Sequence, residues 1–160
     1  MSYKETALGF WIISLIAVGL VFAQEVTVAT ERTEYKEGQN IKVIMTNNLK
    51  TSIFSHAGSA TPFFSIRNIE KKNANRAWKK LFAQCQYPDC VYDIDSPDEI
   101  KPGNSQSFVW EPLIYINGRS KSIPADAGTY CLDILYQVKG DPSPDKWEWK
   151  TARTNEFAIR

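Results

Sequence analysis

Thr129-Tyr130-Cys131-Leu132-Asp133-Ile134-Leu135-Tyr136-Gln137-Val138 is the stretch that decides the fold. Tyr130, Leu132, Ile134, Tyr136 and Val138 occupy every second position, with Thr129, Asp133 and Gln137 among the residues between. Side chains alternate faces along an extended backbone, so this period of two predicts a strand with one face packed and the other toward water. Cys131 directly follows Tyr130. If Tyr130 faces the core, alternation predicts that Cys131 does not.

The flanking sequence repeats the theme in shorter pieces. Residues 26–29 alternate as an opening strand, and a turn over 35–40 leads into Ile41, Val43 and Met45 on one face of the next. Residues 53–54, 63–67, 78–82, 108–110, 147–151 and 156–160 read as further strands. Between them lie a small-residue loop from His56 to Pro62, a polar turn from Glu70 to Arg76, and turns at 100–105, 124–128 and 140–145. Past the first 23 residues, only Lys72 to Leu81 has any helical spacing. One domain of seven to eight short strands points to an all-β, two-sheet sandwich, because two sheets bury each other's apolar faces. A small closed barrel is the alternative.

The front of the chain is an address. From Ala7 to Ala23 no residue is charged, and Phe10, Trp11, Ile12, Ile13, Leu15, Ile16, Val18, Leu20, Val21 and Phe22 crowd into it. We read residues 1–23 as an apolar helix that serves as a signal peptide, with Val21-Phe22-Ala23 before Gln24 as the cleavage site. An uncleaved membrane anchor is the rival reading, because the run has the length of the shortest bilayer spans. Either way the domain at 24–160 is expected to be exported: periplasmic, cell-surface or extracellular. The membrane enters only through this segment.

Composition excludes several function classes. Formal net charge is +1 with the signs interspersed, so no basic stripe for nucleic acid is present. His56 is the only histidine, and neither Ser55 nor Ser59 beside it has a nucleophile-elbow signature, so no catalytic residues are assigned. No cofactor is expected, since phosphate-cradling and dinucleotide glycine motifs are absent. No metal is expected either: Asp89, Asp93, Asp95, Asp98 and Glu99 read as a solvated acidic turn rather than a calcium loop. Three cysteines are present, and outside the cytoplasm cysteines tend to pair. Cys85 and Cys90 flank a turn-forming Gln-Tyr-Pro-Asp, which favours a small disulfide-closed loop; a bridge from one of them to Cys131, or free thiols, are the alternatives.

Several segments resemble the immunoglobulin-like domains of exported prokaryotic proteins. They are the turn 35–43 with Tyr35 and Gly38, the Pro102-Gly103 turn before an aromatic strand, Asp126-Ala127-Gly128-Thr129-Tyr130-Cys131 as the start of strand F, and the closing strand 155–159. The resemblance implies a two-sheet sandwich without the buried core disulfide of antibody domains, because no cysteine lies in the early strands. A narrower similarity, carried by Trp78, the proline–glycine turn and Pro124, Gly128 and Tyr130, is to the bacterial intracellular proteinase inhibitor family. It implies the fold and not the inhibition.

Binding is what remains. Trp147 and Trp149 flank Glu148 on one face of a strand, where they could stack on a surface glycan or anchor a protein partner; filling the core is the alternative. Trp78 and Trp110 read as core. The expected function is therefore a non-enzymatic interaction module of the cell envelope or surface. One alternative is an exported protease inhibitor that presents Tyr87 and Asp89 on the Cys85–Cys90 loop. The other is a structural subunit of a filament or envelope complex whose open sheet edge accepts a neighbour's strand.

Overall fold

The computed structural model describes residues 25–55, 66–82, 97–116, 121–139 and 147–160. The period-two stretch forms strand β11 (Gly128–Lys139), the centre of the largest sheet. One side of β11 pairs with β12 (Trp147–Arg153) and then β13 (Phe157–Ile159), both antiparallel. Its other side pairs with β4 (Ile53–Ser55) and β5 (Ile66–Lys72). Beyond these lie β7 (Asp98–Ile100) against β4 and β6 (Trp78–Leu81) against β5. The short β2 (Glu34–Tyr35) runs parallel to β13 at the opposite edge.

The smaller sheet is β1 (Val26–Thr30), β3 (Ile41–Asn47) and β8 (Ser105–Trp110), all antiparallel. A separate hairpin, β9 (Leu113–Tyr115) with β10 (Ser122–Pro124), is joined to the end of β6 by a bridge between Phe82 and Tyr115. No α-helix occurs among the described residues, and so none long and apolar enough to cross a membrane.

Alternation builds the core as expected. Ile41, Val43 and Met45 of β3 and Tyr130, Leu132 and Ile134 of β11 are sealed from solvent and belong to one cluster. Phe157 locks the two sheets together. Its ring stacks on Tyr130 at 6.1 Å, meets Tyr35 edge-on at 5.9 Å, and meets Trp110 of the smaller sheet at 6.3 Å. Asn47, fully buried where β3 ends, donates to the carbonyls of Thr51 and Ile100 at 2.9 and 2.8 Å and so ties the smaller sheet to β7. Tyr130 donates its hydroxyl to the carbonyl of Asp126 at 2.7 Å. A tyrosine at the start of a central strand, bonded to backbone just upstream, is the tyrosine corner of immunoglobulin-like sandwiches.

Three expectations need correction. The described residues hold thirteen strand segments rather than seven or eight, because the partners along β11 come as split pieces and the β9–β10 hairpin is additional. Residues 72–81 are not helical, and the polar turn is shorter than expected. β5 runs on to Lys72 and returns as β6 through a turn in which Asn73 Oδ1 accepts from the backbone of Asn75 and Ala77 and Arg76 has a φ of 61°. Trp78 is half-buried instead of core: its register with Lys72 puts it away from the smaller sheet, under the Lys72 ammonium 4.9 Å from its ring.

Cys131 and Tyr130 point to opposite faces, as alternation requires, yet Cys131 is only 1% exposed. A polar lattice covers it. Arg153 bonds both carboxylate oxygens of Asp133 at 2.8 and 3.2 Å and reaches Glu70 at 3.0 Å, while Asn68 donates to Asp133 at 2.9 Å. Burial pushes the Cys131 thiol up to about 11, as expected of an inert structural cysteine. The leader at 1–23, the loop 56–62, the acidic positions 89, 93 and 95, and the Cys85–Cys90 loop lie outside the described residues.

Candidate functional site

Of the residues singled out from sequence for binding, Tyr87 and Asp89 lie outside the described residues. Trp149 faces Gln137 across the β11–β12 ladder on the side turned away from the smaller sheet, and it is 52% exposed. The core alternative therefore does not hold for Trp149. Trp147 pairs with Lys139 at the start of the same strand.

A second site arises from the unequal widths of the sheets. The larger sheet joins eight segments and the smaller three. The β5–β6 hairpin overhangs, and the β9–β10 hairpin closes over its inner side incompletely. Register shows why the exposed part is apolar. Leu81 stands opposite Ile69, itself opposite Leu132, so Leu81 lies on the core-facing side but near the edge. Ile114 and Ile123, paired on the covering hairpin, face it.

The result is a groove of two adjoining hollows, about 350 and 260 Å³, sharing Lys79, Leu81, Ile114 and Ile123. Phe82 and Ile116 extend its floor. Phe82, Ile116 and Ile123 are three of the five large apolar side chains exposed among the described residues. Their clustering is the signal, because scattered surface hydrophobics are ordinary and contiguous ones mark interaction sites.

The walls are basic. Lys71 and Lys79 stand on the inner face and wall the groove together with the carboxylate of Asp126, whereas Lys72 and Lys80 border it but by register belong to the outer face. Lys71 is committed to Asp126 at 2.6 Å and lies 5.5 Å from the Tyr130 ring, which anchors that end of the groove to the tyrosine corner. The Lys71 hydrogen bond holds the Asp126 carboxyl below its usual value of 3.8. Lys72 bonds Glu156 at 2.6 Å. Lys79 and Lys80 form no ion pair among the described residues, and Lys79 shares the inner face with Lys71. Lysines here are point charges on flexible stems, suited to attracting anionic groups without fixing their geometry.

Among the described residues no three His, Cys, Asp or Glu side chains gather as a metal site would require. The groove was missed from sequence because its walls come from hairpins over thirty residues apart. One signal was available: Leu113, Ile114, Tyr115 and Ile116 precede Asn117-Gly118, and that dipeptide after an apolar run marks a hairpin.

No family model matches this chain, and no curated protein matches it. Among solved structures, the chain is similar to the ASH / PapD-like domain of human CEP192 (PapD-like domain 7), with 98% of each chain covered, 9% identity and a TM-score of 0.34.

Proposed function

We propose that this chain is an exported, non-enzymatic, immunoglobulin-like interaction module that grips a partner protein in the groove between the β5–β6 and β9–β10 hairpins. The occupant is an acidic segment with large apolar side chains. The observation that carries this reading is the gathering of Phe82, Ile116 and Ile123 beside Lys79. Apolar side chains supply the anchor, and the lysines speed encounter and select against basic partners. The tyrosine corner supports the immunoglobulin-like assignment, and the uncharged run before Gln24 supports export.

Peptide-display selection on the full chain tests this. Selected peptides should combine Asp or Glu with Leu, Ile, Phe or Trp. Ile123→Asp should abolish their binding, and Lys79→Glu should weaken it about tenfold, one charge contact at a partly exposed site. Peptides that lack acidic residues, or that bind Ile123→Asp unchanged, refute the assignment.

A second reading, a subunit that accepts a neighbour's strand, is supported by β8. Among the described residues it pairs only with β3, and Ser105–Trp110 contains neither charge nor proline, the usual guards of a sheet edge. Sedimentation of the purified chain separates the readings: concentration-dependent polymers that Val109→Lys abolishes favour the subunit.

A further inference from the structure

Trp149 belongs to a row that crosses the outer face of the larger sheet, far from the groove in sequence and on different strands. Its register partner is Gln137, whose other partner is Phe54, which in turn stands opposite Glu99. Each pair in an antiparallel ladder shares a face, so the four side chains form one line over four strands. Trp149 and Phe54 are two strand spacings apart, about 10 Å. Beside Phe54 lies an open hollow of about 350 Å³ lined by Thr51, Ser52, Phe54 and Glu99, in which the Ser52 hydroxyl donates to the Glu99 carboxylate at 2.6 Å.

The chemistry of this row differs from that of the groove. It offers an exposed indole, an amide that both donates and accepts, two hydroxyls and a carboxylate, and no cation among these residues. A protein hot spot needs a deep apolar pocket, which the described residues of this face, with the exposed indole of Trp149, do not provide. A pyranose has an apolar C–H face that stacks on indole and a rim of hydroxyls that both donate and accept. We propose that this face binds a neutral saccharide, with one sugar ring on Trp149 and its neighbours reaching across Gln137 to the Ser52–Glu99 hollow. Glu99 accepts sugar hydroxyls and disfavours anionic polysaccharides.

Affinity electrophoresis of the full chain, with cellohexaose, chitohexaose and laminarihexaose as soluble competitors for gels cast with the matching glucans and glycol chitin, tests the proposal. The wild type should be retarded in at least one gel and released by the matching hexasaccharide. Trp149→Ala should lose at least about tenfold in affinity and Trp149→Phe should recover part of it, because the loss is one of stacking area. Glu99→Gln should weaken binding a few-fold. Ile123→Asp, in the groove, should bind the saccharide like wild type, so failure of one site is distinguishable from failure of the other. A wild type that none of the gels retards, or a Trp149→Ala variant with unchanged mobility and a native circular dichroism spectrum, overturns the assignment.

Discussion

Replacing Phe157 by leucine tests the closure of the sandwich directly. Phe157 is 1% exposed in β13 and holds three rings at 5.9, 6.1 and 6.3 Å, one of them on the opposite sheet. Leucine retains an apolar side chain, so the change isolates ring shape and ring pairing. Each aromatic pair contributes about 0.5–1.5 kcal/mol beyond its buried area. The three pairs share one ring and are not independent, so they count for about 1–3 kcal/mol rather than the full sum of about 1.5–4.5, and with about 1 kcal/mol for the change of shape the expected cost is about 2–4 kcal/mol. Phe108 is the control: it is 5% exposed in β8 and has no ring partner among the described residues. Phe108→Leu should cost less than about 1.5 kcal/mol, the range for a near-volume-conserving swap. Urea unfolding followed by far-ultraviolet circular dichroism measures both, with an unchanged slope confirming that only stability has moved. If Phe157→Leu costs no more than Phe108→Leu, the claim that this ring clasps the two sheets is wrong. Alanine is the poorer probe, because the cavity it leaves would consume much of the total stability of a domain this size.

Other perturbations reach different parts of the fold. Tyr130→Phe removes the hydroxyl bonded to the Asp126 carbonyl and, at 3.1 Å, to its carboxylate. Asp126 is largely exposed and water can replace the lost donor, so the cost should be about 1–2 kcal/mol, a fall in Tm of about 3–8 °C by calorimetry. In a Cys85→Ser, Cys90→Ser background the Cys131 thiol should resist dithionitrobenzoate at pH 8 until denaturant is added. Its thiolate is about a hundredfold rarer than that of a thiol at the usual 9.0, and the polar lattice blocks access besides; reaction at the denatured rate in buffer would contradict this. Burial alone would raise the Asp133 carboxyl, but its hydrogen bonds to Arg153 and Asn68 hold it below 3.8. A depressed carboxyl stabilises the fold above its unfolded value and loses that contribution as pH falls through the folded one. The stability gap between wild type and Asp133→Asn should therefore narrow as pH drops below 3.8; a gap that widens in acid reverses the sign of the argument.

The strands that alternate cleanly were legible, and for a simple reason. In β3 and β11 every second side chain is large and apolar, and these alternate side chains, Ile41, Val43 and Met45 and Tyr130, Leu132, Ile134 and Tyr136, are buried. Alternation fixes which face a residue is on, but not what lies over that face. Alternation puts Cys131 on the face away from Tyr130, but it gives no notice that Arg153 arrives from a strand twenty residues later to bond Asp133 beside it. The β5–β6 hairpin was obscured by its composition. Lys71, Lys72, Lys79 and Lys80 give no apolar period, and only pairing with β11 makes the segment extended. Trp149 was recognised as one of a pair sharing a strand face, but its exposure depended on the register with Gln137, a nonlocal fact.

The groove shows most clearly why a surface hollow on such a fold is hard to read in one dimension. Its floor residues look like core: Leu81, Ile114 and Ile123 are of the types that fill sandwiches, and Leu81 even lies on the core-facing side of its strand. They line an open groove because the smaller sheet ends before the larger one does, leaving a short hairpin to cover the overhang. A hairpin of three-residue strands is too small to seal that surface alone. The mismatch in sheet width thus opens the proposed site without any residue being specialised for it. It also implies a direction for change: lengthening β9 and β10 with apolar residues should close the groove and stabilise the domain at the expense of binding. Stability and partner affinity should then move in opposite senses across a set of such insertions, whereas a groove of purely structural origin would leave binding untouched.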